Sequence, residues 1–400
     1  MPPKQRVSNS SLSSPTTPKT PGGTPAAAVE EPKKRSANEV LARVVTTLFM
    51  AYGFLGLIAA GVEYIAPVVL LIKAAMFFEI VRISQKERKE RQLPSMRLLQ
   101  WYFLAVTVVG AAAVALRNPL IAAFPRLQVW YNSLFIISFG LYVIGFVIFV
   151  LSLRRGYYRY QMAQFSWLAM TLVFITGQGS LQYANMLRGL FWFLLPISCV
   201  VHNDIWAYAC GKNFGRTSLL RLSPKKTVEG FVGAWIMTTI WAFWFSGYMC
   251  RFKGLVCPTV KMFERADCIP EAMFVAVPHM LPREVAAVTG VDALNIAPVQ
   301  LHALVFAAFA SLIAPFGGFF ASGLKRAFKL KDFGDLIPGH GGMTDRMDCQ
   351  IIMGAFTYVY VQFVYAAETG TCPLVPQLVD CLRNLPPETR QLVLSEATKA

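Results

Sequence analysis

Long stretches without a charged side chain constrain the fold of this chain more than any other feature of its sequence. An α-helix that crosses a bilayer needs about 20 predominantly apolar residues. Two apolar segments are interrupted, because Ile65–Phe78 contains Lys73 and Gly189–Gly211 contains His202 and Asp204. The sequence therefore predicts an all-α polytopic membrane protein with about nine transmembrane helices. The uninterrupted runs are Val44–Val62, Leu98–Leu116, Leu127–Leu153, Tyr160–Leu187, Gly230–Cys250, Ala293–Leu324 and Cys349–Ala367.

The overall charge agrees with this class and narrows the choice of partners. Only 15% of the residues are charged, against about 25% in soluble proteins. The net charge of +16 is typical of two kinds of protein, those that bind nucleic acid and those whose loops face anionic lipid. The mean hydropathy of +0.47 favours the second. We therefore expect a membrane lipid partner and no nucleic acid.

Basic loops set the expected orientation, because short cytosolic loops are enriched in Lys and Arg. Ser84–Arg97 and Gly211–Thr227 hold five such residues each, and Arg154–Arg159 holds three. The loop at 251–292 holds five basic and five acidic residues and therefore shows no bias. The pattern predicts an N-terminus and polar loops on the cytosolic face, with 251–292 on the opposite side.

The chain divides into four parts by composition. Residues 1–43 are rich in Ser, Thr, Pro and Gly and predict a disordered cytosolic tail. Residues 44–187 form an N-terminal group of transmembrane helices. Residues 188–367 are expected to form a second transmembrane region, which includes the non-cytosolic loop and the polar residues considered below as candidates for catalysis. Residues 368–400 form a C-terminal tail.

Five of the eight cysteines fall in the segments expected on the non-cytosolic side: Cys250, Cys257, Cys268, Cys372 and Cys381. An oxidising compartment would let some of them pair. Their spacing leaves the connectivity open, and free thiols are the alternative.

The segment Lys331–Asp348, "KDFGDLIPGHGGMTDRMD", is the most polar stretch between two apolar runs, and we call it the polar segment. Asp345 and Asp348 are three residues apart, which places both on one face of a helix. Gly341 and Gly342, with Gly339, would let the backbone approach a phosphate. His340 could act as a base, donate to a phosphate, or serve only as a turn residue.

A second polar group surrounds the loop at 211–227. Asp204 lies within an apolar run. Placing an ionisable side chain inside a membrane span costs free energy, so its presence there indicates a function. Glu229 follows the loop, whose basic residues include Lys225 and Lys226. Carboxylates beside Lys and Arg indicate a phosphate site assisted by Mg²⁺, which binds one or two carboxylates and completes its shell with phosphate and water.

The two polar stretches together resemble the signature of the phosphatidate cytidylyltransferases, also called CDP-diacylglycerol synthases. Ser322–Asp348 fills the pattern S-x-x-K-R, K-D, P-x-H-G-G and D-R-x-D at every position. Asn203–Gly230 is similar to the family's N-D-x-x-A-Y and S-P-x-K-T-x-E-G block. The resemblance is strong over 203–348 and covers the N-terminal spans only in layout.

The resemblance implies transfer of CMP from CTP to phosphatidic acid, with release of pyrophosphate and dependence on Mg²⁺, a second cation being left open. It also implies a homodimer in the endoplasmic reticulum membrane. The residues it implies are catalytic Asp204, Lys226, Glu229, Lys325, Arg326, Asp332, His340 and Arg346, substrate-binding Ser322, Lys225, Gly341 and Gly342, and metal-binding Asp345, Asp348 and Asp204.

One position departs from the family pattern. Many bacterial members have a metal-binding aspartate four residues before the motif serine, where this chain has Gly318. We therefore expect the remaining carboxylates to carry more of the metal binding.

Two other functions fit parts of the pattern. A CTP-dependent lipid kinase of the dolichol or phytol type would transfer the γ-phosphate and release CDP, but the complete signature argues against it. An anion transporter would place its polar groups near the midplane in paired halves, whereas this chain concentrates them at one face.

Overall fold

The structure is a computed structural model that describes residues 37–90, 96–115, 126, 128–220, 223–259, 268–280, 292–334, 336, 341–369 and 390–391. Predictions that concern 1–36, His340, Cys372, Cys381 and most of the C-terminal tail lie outside these residues. Helices make up most of the described chain. They are α1 Ala37–Ala60, α2 Val62–Glu90, α3 Arg97–Ala115, α4 Gln128–Leu151, α5 Tyr158–Leu172, α6 Gln178–Leu187, α7 Phe191–Phe214, α8 Val228–Met249, α9 Lys253–Val256, α10 Pro298–Leu312, α11 Pro315–Ala327 and α12 Thr344–Thr369.

Five helical stretches of the described chain are long and apolar enough to cross a membrane: Val62–Ile83, Ser133–Leu151, Phe191–Phe214, Val228–Met249 and Pro298–Ala327. Two shorter apolar helices, Leu48–Ala60 and Arg97–Ala112, accompany them. The protein is therefore a helical integral membrane protein, as the apolar runs predicted.

Several boundaries differ from the predicted spans for local reasons. Helix α1 begins at Ala37, earlier than the predicted start at Val44 and within the predicted tail. The run Ala293–Leu324 is divided into a strand and two helices, since Pro298 and Pro315 each begin a helix, the position where proline is best tolerated. The run Tyr160–Leu187 contains a π-helical turn at Val173–Gly177 between α5 and α6.

Two antiparallel hairpins interrupt the helices and qualify the all-α prediction. Strands β1 (Ser218–Leu220) and β2 (Ser223–Thr227) pair in the basic loop. Strands β3 (Val277–Met280) and β4 (Ala293–Ile296) pair in and beside the loop 251–292. Each hairpin has only two strands, so both depend on the helices they adjoin for stability.

The loop 251–292 also contains the disulfide bond of the described chain. Cys257 and Cys268 are joined, with their Cα atoms 5.7 Å apart. Cys250 is a free thiol. The prediction that cysteines of this loop pair is thereby confirmed for one pair, whose partners the sequence had left open.

The largest hydrophobic core surrounds α7. Trp192, Leu195, Phe306 and Met353 are completely buried in it. Polar side chains hold α12 to the helices around this core, since the Asn185 Nδ2 donates to the Gly354 carbonyl at 3.0 Å and the Gln350 Nε2 donates to the Ile197 carbonyl at 3.3 Å. The helices that carry the polar residues are thus fixed to one packed unit.

Helices α7 and α8 cross closely because glycine faces glycine. A Cβ atom on Gly230 would lie 2.7 Å from the Ala207 carbonyl oxygen and 2.9 Å from the Gly211 Cα. Both obstacles are backbone atoms and cannot move as a side chain could. This crossing places hairpin β1–β2 beside the end of α7, and Thr227 caps α8 by accepting from the Gly230 amide at 3.2 Å.

Gly230→Ala is therefore expected to separate α7 from α8 and to destabilise the protein by about 1–3 kcal/mol, the usual cost of overpacking a filled site. The measurement is the thermal unfolding midpoint of purified protein in detergent. Gly140→Ala is the matched control, because a Cβ at Gly140 meets nothing within 4 Å. A midpoint for Gly230→Ala equal to that of the control would show that the helices do not cross as described.

Candidate active site

Residues from three separate parts of the chain converge at Gly318 in α11. The position that a Cβ would occupy there lies 3.4 Å from the Asp348 Oδ2 and 3.5 Å from the Lys226 Nζ. The Lys226 ammonium also lies 4.6 Å from the centre of the Phe319 ring. Strand β2, α11 and the start of α12 thus bring both halves of the sequence signature to one place.

Asp204 and Asp348 form the acidic part of this site. The charges acting on the Asp204 carboxylate come from Lys226, Asp348 and Arg346. Asp204 is exposed and Asp348 is half-buried. The Asp348 Oδ1 accepts from the Cys349 amide at 2.7 Å, and its Oδ2 is the oxygen nearer Gly318.

Asp345 binds a lysine and a loop amide instead of standing free. The Lys325 Nζ lies 2.5 Å from the Asp345 Oδ1. The Phe333 amide donates to the Asp345 Oδ2 at 3.0 Å. Asp345 and Asp348 both point toward α11, so they lie on one face of α12, as their spacing predicted. Each carboxylate has different partners there.

Glu229 fixes the backbone that leads from α7 into the hairpin β1–β2. Its carboxylate accepts from the backbone amides of Arg216 and Thr217 at 3.0–3.2 Å. These bonds fix the chain between α7 and β1 and thereby the path of the hairpin that carries Lys226. The catalytic role predicted for Glu229 stays a prediction, and its observed contacts are those of a positioning residue.

The remaining predicted side chains that the structure describes belong to α11 and the polar segment. The Ser322 hydroxyl donates to the Gly318 carbonyl at 2.8 Å, within α11. The Asp332 carboxyl carbon lies 3.9 Å from the Cβ position of Gly341, which has a φ of +83°. Arg326 and Arg346 are exposed. The Lys225 backbone lies in β2, but its side chain, like all of His340, is outside the described part.

Gly342 makes close contact with the protein itself. A Cβ at this position would lie 2.9 Å from the Asp345 Oδ2 and 2.9 Å from the Gly334 nitrogen. The glycine that was predicted to approach a phosphate therefore lets two stretches of the polar segment pack together.

Sequence reasoning missed one buried carboxylate near these residues. Glu79 directly follows the predicted span Ile65–Phe78, is only 2% exposed and contacts the start of α12. A charged residue placed immediately after an apolar run is usually taken as the membrane boundary, and only the fold shows that it points inward.

The described residues contain no group of three or more His, Cys, Asp and Glu side chains close enough to hold a metal ion. Asp204 and Asp348 nevertheless fit Mg²⁺, which commonly takes one or two carboxylates and draws its remaining ligands from substrate phosphates and water. The donors are oxygen atoms, as this cation prefers.

Comparison with known proteins agrees with the signature. The sequence profile of the cytidylyltransferase family matches residues 41–364. The chain is 40% identical over 360 residues to phosphatidate cytidylyltransferase 1 of Arabidopsis thaliana, covering 88% of this chain and 85% of the relative. It is 39% identical to phosphatidate cytidylyltransferase of Saccharomyces cerevisiae, covering 80% of this chain and 72% of the relative. With phosphatidate cytidylyltransferase 2 of Homo sapiens it shares 39% identity, over 80% of this chain and 73% of the relative.

The chain therefore belongs to the cytidylyltransferase family, and it is a nucleotidyltransferase. The resemblance identified from the two polar stretches is confirmed over most of the chain.

Two neighbouring glycines at the site should respond differently to substitution. A Cβ on Gly317 would lie 2.6 Å from the Asp348 carbonyl oxygen, whereas the one on Gly318 makes only ordinary contacts of 3.4 Å or more. Gly317→Ala must therefore shift the start of α12. We expect it to lower cytidylyltransferase activity about 100-fold, the scale at which small displacements impair catalysis.

Gly318→Ala should lower the activity less than about tenfold, because its methyl group displaces no backbone. The measurement is the initial rate at saturating nucleotide for equal amounts of folded protein. Equal losses in the two variants would contradict the described contact between α11 and α12.

Proposed function

We propose that the protein transfers the CMP group of CTP to phosphatidic acid, forming CDP-diacylglycerol and releasing pyrophosphate. One observation carries this proposal: Asp348 and Lys226 face one another at Gly318, and Asp348 also lines an apolar cavity. A site that places a lysine and a carboxylate beside an apolar cavity suits a reaction between a nucleotide and a lipid. The names of the relatives agree with these substrates.

The chemistry requires the enzyme to bring two anions together. A phosphate oxygen of phosphatidic acid attacks the α-phosphorus of CTP, the new P–O bond forms, and the bond to the β-phosphate breaks to release pyrophosphate. Lys226 and Lys325 lie where they can neutralise the triphosphate, and Arg326 and Arg346 lie exposed nearby in the signature. Fixed positive charges stabilise the charge that develops during transfer.

No strong general base is needed, since the attacking phosphate is already an anion near neutral pH. We accordingly assign His340 a positioning role toward a phosphate or the loop. Asp345 holds Lys325 in place through their ion pair, which keeps the ammonium directed at the site.

Asp204 and Asp348 are the residues we assign first to Mg²⁺, with Asp345 adjacent. When bound, the cation would polarise phosphate oxygens and offset their negative charge. The Cβ position of Gly318 lies beside the Asp348 carboxylate. The space that an aspartate side chain would fill in many bacterial members therefore borders the same site.

The part of the lipid next to its headgroup is assigned to the apolar cavity, which has a volume of about 140 Å³. Asp348 and Thr344 lie at its polar part, and Met76, Phe174 and Phe320 are among its apolar lining. Phe174 is 36% exposed and Phe320 is 52% exposed on the outer surface, which faces lipid in a membrane. A phosphatidic acid headgroup can thus reach Asp348 while its chains stay among apolar side chains.

We further propose the finer features that the sequence predicted: about nine spans, an active site and N-terminus in the cytosol, residence in the endoplasmic reticulum, and a homodimer. The basic loops support the orientation, and the disulfide Cys257–Cys268 suits an oxidising compartment. The dimer rests on family resemblance.

Glycosylation tests this orientation, because Asn-x-Ser/Thr sites are modified only on the luminal side. An acceptor sequence introduced at Glu271 is expected to be glycosylated in microsomes. One introduced at Arg155 is expected to stay unmodified. The reverse result would place the active site in the lumen.

Product identity tests the reaction itself. Purified protein is incubated with phosphatidic acid, Mg²⁺ and CTP labelled at the α-phosphate in one tube and at the γ-phosphate in another. We expect the α-label in the lipid and the γ-label in pyrophosphate. The opposite distribution, with the γ-label in an added lipid alcohol, would identify a lipid kinase and overturn the proposal.

Asp348→Asn should reduce this transfer at least about 1,000-fold, because it removes the charge that faces Lys226. Its thermal midpoint should stay near that of the unmodified protein, since the amide keeps the size of the side chain. Glu271→Gln is the matched control, an exposed carboxylate in the loop 251–292, and should keep full activity. Wild-type turnover by Asp348→Asn would exclude Asp348 from the site.

A further inference from the structure

Glu79 is a buried carboxylate that the reaction as described does not use. It lies in α2 within the apolar stretch Val62–Ile83 and is only 2% exposed. A charged side chain in such a position is costly unless its partners compensate for lost hydration. The identity of these partners therefore indicates what the residue does.

Both oxygens of Glu79 accept hydrogen bonds from the beginning of α12. The Met343 amide donates to the Oε1 and the Thr344 amide donates to the Oε2, each at 2.8 Å. The first amides of a helix have no partner within the helix, and a carboxylate there also complements the helix dipole. Most helices are capped by a residue next to them in the sequence. Helix α12 is capped by a residue 264 positions away.

Glycines of the polar segment close around this carboxylate. A Cβ on Gly334 would lie 2.9 Å from the Glu79 Oε1, and one on Gly342 would lie 3.0 Å from its Oε2. The Gly342 position is also 2.9 Å from the Asp345 Oδ2. Glu79 thus packs against Gly334 and Gly342 of the polar segment and also binds the start of the helix.

We propose that Glu79 is a positioning residue for the proposed cytidylyl transfer. Asp345 and Asp348 lie within the first two turns of α12, so the bonds to Met343 and Thr344 fix the depth and rotation of both carboxylates relative to Lys325 and Lys226. Glu79 acts through these residues and does not itself contact the nucleotide. The inference rests on the proposed function for its catalytic consequence, but its structural part can be tested separately.

Glu79→Gln is the central variant, because it keeps the size of the side chain but presents an amide N–H₂ to one backbone donor. We expect kcat to fall by about 10–100-fold, the usual effect of removing a group that orients a metal ligand. We also expect the Mg²⁺ concentration for half-maximal activity to rise by about tenfold or more. Hydrogen exchange of the peptide 341–349 should become faster, which is a readout independent of activity.

Two further variants separate positioning from general stability. Gly334→Ala presses on the Glu79 carboxylate without changing any charge, and should shift the Mg²⁺ dependence and the exchange in the same direction. Gly145→Ala should destabilise the protein elsewhere, since its Cβ would lie 2.5 Å from the Tyr102 ring. Per folded molecule, this control should keep the normal kcat and Mg²⁺ dependence.

Normal exchange of 341–349 in Glu79→Gln would overturn the proposal, as would a normal Mg²⁺ dependence with normal kcat. If Glu79→Gln does not fold, the same two outcomes are judged on Gly334→Ala. If the unmodified protein forms no CDP-lipid, the proposed function fails, while the exchange measurement still decides whether Glu79 holds α12.

Discussion

The close approach of α11 to α12 is the contact on which the site depends. At Gly317 no Cβ fits, because the Asp348 carbonyl oxygen would lie 2.6 Å away. One residue further, the same absence of a side chain opens the space between Asp348 and Lys226. The two consecutive glycines therefore have different roles. Gly317 allows α11 and α12 to touch, and Gly318 leaves space for a charged site where they meet.

Three carboxylates at the edge of the apolar bundle are tolerated because each has partners within the protein. Asp345 is paired with Lys325, Glu229 accepts from two loop amides, and Glu79 accepts from the start of α12. Asp348 has a backbone partner for one oxygen only. The three carboxylates that hold the architecture are thus satisfied by the protein, whereas Asp348, which lies beside Gly318, is one of the two that we assign to a cation.

In the proposed function, different elements around this site bind the two unlike substrates. The hairpin β1–β2 and the end of α11 supply the cations Lys226 and Lys325. Helices α2, α5, α11 and α12 with the π-helical turn line the cavity assigned to the lipid. Asp348 belongs to both groups. Its carboxylate is therefore the point at which the proposed nucleotide and lipid sites meet.

The sequence by itself determined the class of the protein, because runs of about 20 apolar residues leave few folds other than a helical membrane bundle. The two signature stretches likewise identified the family and most of the charged residues that meet in the site. The tertiary structure decided which of them touch: Asp345 with Lys325, Glu229 with the loop at 216–217. It alone revealed Glu79, because a contact between residues 264 positions apart depends on helix packing and leaves no local pattern in the chain.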